Sequence, residues 1–480
     1  MKTTLKLLVI LMVILSLPSA LLSFSGNGSG TIADPYQITT VNQLQEMNND
    51  LDAHYALMNN IDASVTSSWN AGKGFIPIGG TSPYFTGSLD GNNYYISSIY
   101  ISDTISAGLF AYTTNAEIKD LGLTNVDING GGFQKYIGSL VSFAFDTKIT
   151  NCYSTGTVSD IGTGTYFIGG LIGWVSSSGN EETKSVISNS YSSCVIDRPW
   201  SLNNSNAGGF CGQADGSNIL ASYSTGSVSG FNTSGGFIGK ASWNTYIDKC
   251  YSTSNVETGP DNDTYPSMTG GFAGYVSDTT VINKCFSSGT VFDTNNYCGG
   301  FAGRIWRRSE VRNSYSISPV TGGTAGGFAS YLSNCVVTNC YATGLVQGRT
   351  NEVGGFGGFG NTVIPPTFED CFWDIETTET DISIPNDSFS GITGETTVNM
   401  QTQSTFDTWD FNTIWFMCSD SYPKIMGIGS IYEAWVSSSY CSTCTNDGHE
   451  WNCDAFDNFD EAHYRSEEHT SELQSPNTIS

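Results

Sequence analysis

Between residues 149 and 373 the apolar positions follow no helical period; they return in short bursts, one coil-length apart. One burst reads apolar, any residue, Asn, Cys or Ser, an aromatic, then Ser. Its copies are Ile149–Ser154, Ile187–Ser192, Ile219–Ser224, Ile247–Ser252, Ile282–Ser287, Val311–Ser316 and Val337–Ala342, fading at Phe368–Trp373. The aromatics Tyr153, Tyr191, Tyr223, Tyr251, Phe286, Tyr315, Tyr341 and Phe372 are 38, 32, 28, 35, 29, 26 and 31 residues apart. A second block, Gly-Gly-Phe/Leu-x-Gly, falls between copies of the first. It occurs at Gly169–Gly173, Gly208–Gly212, Gly235–Gly239, Gly270–Gly274, Gly299–Gly303, Gly326–Ser330 and Gly354–Gly358. Gly138–Ser142 is a worn copy and Ala107–Ala111 a more distant one.

A period of about 30 residues with two or three short strands suits one turn of an all-β solenoid, whose coils bury their inward faces only by stacking. A β-propeller blade needs four strands in roughly 40–50 residues, so it fits less well; a β-sandwich array is the other alternative. One stack is expected from about Gly74 to Trp373, its uneven spacing absorbed by loops at the corners. Each position then has a chemistry. Ile149 and Ile247 should point inward. Asn151, Asn189, Asn313 and Asn339 suit a corner, because Asn tolerates left-handed φ. Cys152, Ser190, Ser222, Cys250, Cys285, Ser314, Cys340 and Cys371 form one column of small residues. Free exchange of Cys with Ser there argues against obligatory disulfides. Cys250 should lie beside Cys285, and Cys340 beside Cys371, within disulfide reach at about 4.8 Å between strands. The glycines of the second block let backbones approach closely at a bend. The one helix expected, near Val41–Asn49, rests on Leu44 and Met47 behind a Thr40 cap.

Composition supports this reading. Glycine is high at 55 residues, charged residues are few at 13%, and aromatics at 12% are too many for a disordered chain. Lys2 and Lys6 precede an apolar run from Leu7 to Leu22, with small residues at Ser23 and Ser25. This is the pattern of a secretory leader over 1–25, with an uncleaved anchor as the alternative. The net charge of −27 disfavours nucleic acid, since the largest basic cluster is Arg304, Arg307, Arg308 and Arg312. No EF-hand loop is present to collect calcium. No cofactor is implied, and no membrane span remains once the leader is removed.

The Gly-Gly-Phe-x-Gly and Asn-Cys-Tyr-Ser-Thr-Gly-x-Val units resemble the GLUG repeat of bacterial and archaeal surface proteins. The lead-in from Gly30 to Ile38, Gly74–Gly79 and Phe85–Asn92 agrees. So does the exit through Cys371–Asp374, Phe406, Trp409, Trp415 and Tyr422-Pro423. The resemblance covers about residues 28–426. It implies a right-handed parallel β-helix acting as a stalk on an exported protein, with any catalysis in other domains. The chain then divides into a leader (1–25), a cap (26–73), the solenoid (74–373), its C-terminal flank (374–426), the start of a truncated module (427–464) and a terminal segment (465–480). Trp435-Val436, Asn446–Trp451 and Asp454–Asn458 resemble the opening of a pectate-lyase-type β-helix, although Phe459–Ala462 departs from it. Arg465–Ser475 reads as the direct translation of a common sequencing adapter, so 465–480 is taken as an assembly artefact and the natural chain is expected to continue past Tyr464.

Candidate chemistry is sparse. Cys441, Cys444, His449 and Cys453 have knuckle-like spacing, for which a disulfide ranks ahead of zinc. Asp374, Glu376, Glu379 and Asp381, or Asp261 and Asp263, could serve as paired carboxylates on a polysaccharide; solvated loops are the plainer reading. Asn27, Asn203, Asn232 and Asn262 head glycosylation sequons expected on exposed loops. No catalytic, cofactor or metal residue is assigned, and the chain is read as a non-enzyme with any catalysis outside this fragment. Two functions compete. One is a structural or adhesive surface stalk, with surface glycans or proteins as partners and no fixed oligomeric state. The other is a carbohydrate-active β-helix enzyme whose activity lies downstream.

Overall fold

A computed structural model describes residues 24–428, apart from 133–134, 161–165, 198–204, 230–231, 260–266, 294–295, 350–351 and 387–388. The leader pattern over most of its length, the Cys441–Cys453 set, the pectate-lyase-like opening and the adapter-derived segment lie outside the described residues. Among the described residues no helix is long and apolar enough to cross a membrane.

The chain is a parallel β-solenoid. A typical coil runs through five short strands: Met268–Gly270, Ala273–Val276, Val281–Asn283, Phe286–Ser287 and Val291–Asp293. Each pairs in parallel with its equivalents in the coils on either side. Sharp corners cut the expected two or three strands into five. Parallel pairing starts at Tyr36–Ile38, ahead of the first repeat block, and continues to Ile392–Glu395.

Register follows the repeat. The leading glycines Gly138, Gly169, Gly208, Gly235, Gly270, Gly299, Gly326 and Gly354 are mutually aligned in a nine-stranded sheet, here called the glycine ribbon. The worn copy at Gly138 therefore keeps its place. A Cβ on Gly235 would collide with the carbonyl oxygen of Ile238, and one on Gly236 with that of Gly271. These glycines are needed because the chain doubles back on itself within each coil and packs on the next.

Three columns fill the interior. Ile118, Ile149, Ile187, Ile219, Ile247, Ile282, Val311 and Val337 align in one, all buried. Phe210, Phe237, Phe272, Phe301, Phe328 and Phe356 stack at 4.8–5.0 Å between ring centroids. The third is the Cys/Ser column, where Cys250 and Cys285 interact as neighbours. A fourth column, Tyr153 to Tyr341, stacks ring on ring with interplanar angles of 1–5°, half-buried at Tyr153, Tyr191, Tyr223 and Phe286 and buried at Tyr251, Tyr315 and Tyr341.

The N-terminal turn carries the expected helix, Val41–Glu46, continued by a 3-10 turn over Met47–Asn49. Thr40 closes a capping box with Gln43, and Leu44 and Met47 are buried. A second compact unit begins at Val398. It holds an antiparallel pair, Trp415–Phe416 with Lys424–Ile425, and a ring cluster of Phe406, Trp409 and Trp415 at 4.5–4.7 Å.

Candidate functional site: an outward aromatic and cationic strip

Side chains alternate in and out along a strand. In the strand after each Gly-Gly-Phe-x-Gly block, the first residue past the block points outward. These residues align as Tyr112, Phe143, Trp174, Gln213, Lys240, Tyr275, Arg304, Tyr331 and Phe359. Their inward neighbours, among them Ala214, Ala241, Val276 and Ile305, are buried. A second outward column comes from the glycine ribbon, two residues before the leading glycine: Tyr136, Phe167, Asn206, Thr233, Met268, Tyr297 and Thr324.

The two columns meet across the glycine bend. Tyr136 lies 5.7 Å from Phe143 and 5.2 Å from Trp174; Phe167 lies 5.5 Å from Trp174; Tyr297 lies 5.7 Å from Tyr331. Asn206 donates to Gln213 at 2.7 Å. The buried Asp215 carboxylate accepts from Trp174 Nε1 at 2.8 Å and Gln213 Nε2 at 2.7 Å, and from Ser242. The strip is thus aromatic at one end, polar in the middle around the buried Asp215 carboxylate, and aromatic with cations at the other.

Arg304 is the centre of the cationic end. Its guanidinium lies 4.2 Å from the Trp306 ring centroid, 4.5 Å from Tyr331 and 5.6 Å from Tyr275. Lys240 Nζ sits 5.8 Å from the same Tyr275 ring. Neither cation has an ion-pair partner among the described residues, and Arg304 Nε is buried without a hydrogen-bond partner. The nearby carboxylates are engaged elsewhere: Asp278 pairs with Arg307 at 3.3 Å, and Glu352 accepts from Thr324 at 2.6 Å. Burial raises the Tyr297 and Tyr275 phenols; Glu352 adds to the first, and Arg304 opposes both.

Sequence reasoning noticed Arg304 only within a basic run and missed the strip. Its signal was the position just past each block, where Trp, Lys, Tyr, Arg and Phe alternate instead of the small polar residues seen elsewhere.

The sequence-derived carboxylates do not assemble into a site. Asp374 is buried and accepts from the backbone of Glu376 and Thr377 and the hydroxyl of Thr397 at 2.8–3.1 Å. Glu376 accepts from the Thr397 backbone at 2.8 Å. Both hold a turn, while Glu379 and Asp381 are exposed. Asp261 and Asp263 lie outside the described residues. Among the sequons, Asn27 is exposed, but Asn232 is buried in the bend just before the glycine-ribbon strand Thr233–Gly235, which overturns its expected exposure. Asn203 and Asn262 lie outside the described residues. No group of metal-ligating side chains occurs among the described residues.

The fold is a parallel β-helix that carries an outward aromatic and cationic strip. Residues 38–156 match the family model for the M26 IgA1-specific Metallo-endopeptidase N-terminal region. That match corrects the reading of the chain as a non-enzyme, because it connects this part of the chain to a protease family. Halomucin of Haloquadratum walsbyi is 35% identical over 168 residues, 32% of this chain and 2% of that protein. A candidate Gly-rich membrane protein of Evansella cellulosilytica is 37% identical over 128 residues, 24% of this chain and 14% of that protein. The chain therefore spans a small part of the length of these relatives. A candidate immunoglobulin A1 protease from Bacteroides ovatus aligns over 84% of this chain and 94% of its own, at 17% identity and a TM-score of 0.36.

Proposed function

We propose that this protein is an exported β-solenoid that serves as a structural and adhesive stalk, presenting its outward strip, and other domains, at a surface. The GLUG-like repeat and the leader pattern belong to this reading. The observation that carries it is the unbroken register of outward residues over nine coils, from Tyr112 to Phe359. A solenoid side of this kind is a binding surface without a cleft, and it tolerates coil-by-coil variation because each coil contacts only its neighbours. The match over 38–156 suits the same role within an M26-like endopeptidase, where this region would carry and position the rest of the protein.

The test is to express the full chain in a host that recognises its leader, then label intact cells with an impermeant amine reagent. Labelling of the chain on the cell surface or its recovery from the medium is expected. Confinement to the cytoplasm would overturn the reading.

A further inference from the structure

The cationic end of the strip has the features of a ligand site. The sheets bury the backbone of each coil in ladders with the coils on either side, so this face offers no free strand edge for a peptide to extend. What it offers is half-buried rings with two unpaired cations among them, Arg304 on the rung between Tyr275 and Tyr331 and Lys240 on the rung before Tyr275. We propose that Lys240, Tyr275, Arg304, Trp306 and Tyr331 form a subsite for a carboxylated polysaccharide, a chain of uronic-acid type. This deepens the reading of the solenoid as a surface that binds, and rests on it.

The chemistry is as follows. The C–H faces of a pyranose ring stack on an aromatic ring, and adjacent rungs at about 4.8 Å are close to the advance of an extended sugar chain per residue. Arg304 lies within 4.2 Å of the Trp306 ring centroid and 4.5 Å of Tyr331, contacts that restrict its orientation before a ligand arrives. Its Nε is buried without a hydrogen-bond partner and the guanidinium has no carboxylate partner among the described residues, which leaves the half-buried group ready for an acid partner. Lys240 lies on the other side of Tyr275, two rungs or about 10 Å away, and can meet a second acid group along the same chain. Complementarity is local: the protein as a whole carries −27, so it repels polyanions everywhere except where unpaired cations collect. Salt at about 0.15 M shortens that general repulsion to about 8 Å and leaves close contacts intact.

The experiment titrates the full chain by calorimetry at that ionic strength with hexagalacturonate. An uncharged galactose hexamer and a hexaglutamate peptide serve as comparisons. Binding of hexagalacturonate is expected, with the neutral sugar at least about tenfold weaker, since a charge-assisted pair is lost. Arg304→Gln should weaken hexagalacturonate about tenfold, and Lys240→Gln and Tyr331→Leu should each weaken it as well. Arg312→Gln, outside the strip, should change nothing. Should Arg304→Gln disturb folding, Lys240→Gln still decides the matter. No binding by the unmodified chain, equal binding by Arg304→Gln and Lys240→Gln, or a preference for hexaglutamate would each overturn the subsite. None of these would touch the surface reading, which the labelling of intact cells tests separately.

Discussion

The Cys/Ser column shows what single residues do in this chain. Read from sequence it is a packing device; in the structure it is also a hydrogen-bond ladder. Ser190, Ser222 and Ser314 each donate at 2.8 Å to the carbonyl two residues back, and Cys152, Cys250, Cys285, Cys340 and Cys371 do so at 3.2–3.4 Å. The same oxygen or sulfur accepts a corner N–H from the preceding coil, as Ser222 does from Ser190 at 3.2 Å and Ser314 from Cys285 at 3.1 Å. Ser and Cys interchange because both donate and accept. Cys285→Ser should therefore leave the urea midpoint nearly unchanged. Ser222→Ala leaves the Ser190 N–H buried and unpaired, and should cost about 1–3 kcal/mol in the same measurement. Burial pushes the Cys152 and Cys371 thiols up to about 12. Thiolate is then scarce below that pH, so at about pH 8, near the ordinary thiol value, a disulfide reagent should leave them unmodified until the protein unfolds. Rapid modification under native conditions would contradict their placement.

At the level of elements, corners decide where strands stop. Asn151, Asn189, Asn313 and Asn339 have φ between 48° and 53°, as their residue type suggests. Ala221, Lys249 and Lys284 occupy the same corner at 46–54° without the side chain that tolerates it. Ala221→Gly should then raise stability by about 0.5–1 kcal/mol, read as a higher urea midpoint, because strain relief outweighs the added freedom of the unfolded chain. The opposite holds in the glycine ribbon. Gly235→Ala puts a Cβ against the Ile238 carbonyl and should cost at least about 1–3 kcal/mol. Thr40→Ala removes the helix cap and should cost about 1 kcal/mol.

For the whole molecule, the repeat makes stability local to each coil and its neighbours. Gly270 and Gly299 are register equivalents, so removing Gly271–Gly299 joins Gly270 to Gly300 with every column intact. Phe301 then stacks on Phe237, and Tyr315 on Tyr251. The shortened chain is expected to fold, with the same far-ultraviolet circular dichroism per residue. A disordered product would show that the coils are not interchangeable units.

The sequence by itself determined the solenoid, its repeat positions, the inward Ile column, the left-handed Asn corners and the capped helix. Each of these is set by local sterics or by a period, and both can be read along one dimension. The strip was decided only by tertiary structure. Arg304, Tyr275 and Tyr331 are 27–29 residues apart in sequence, and their register places them on successive rungs. The opposing column, with Tyr297 and Tyr136, reaches them only because paired glycines fold the chain back on itself. An unpaired Arg304 is likewise a property of what surrounds it, since the sequence shows acids nearby and not that they are engaged elsewhere. Corners and periods are written residue by residue; which side chains share a face, and which charges stay uncompensated, depend on every insertion between them.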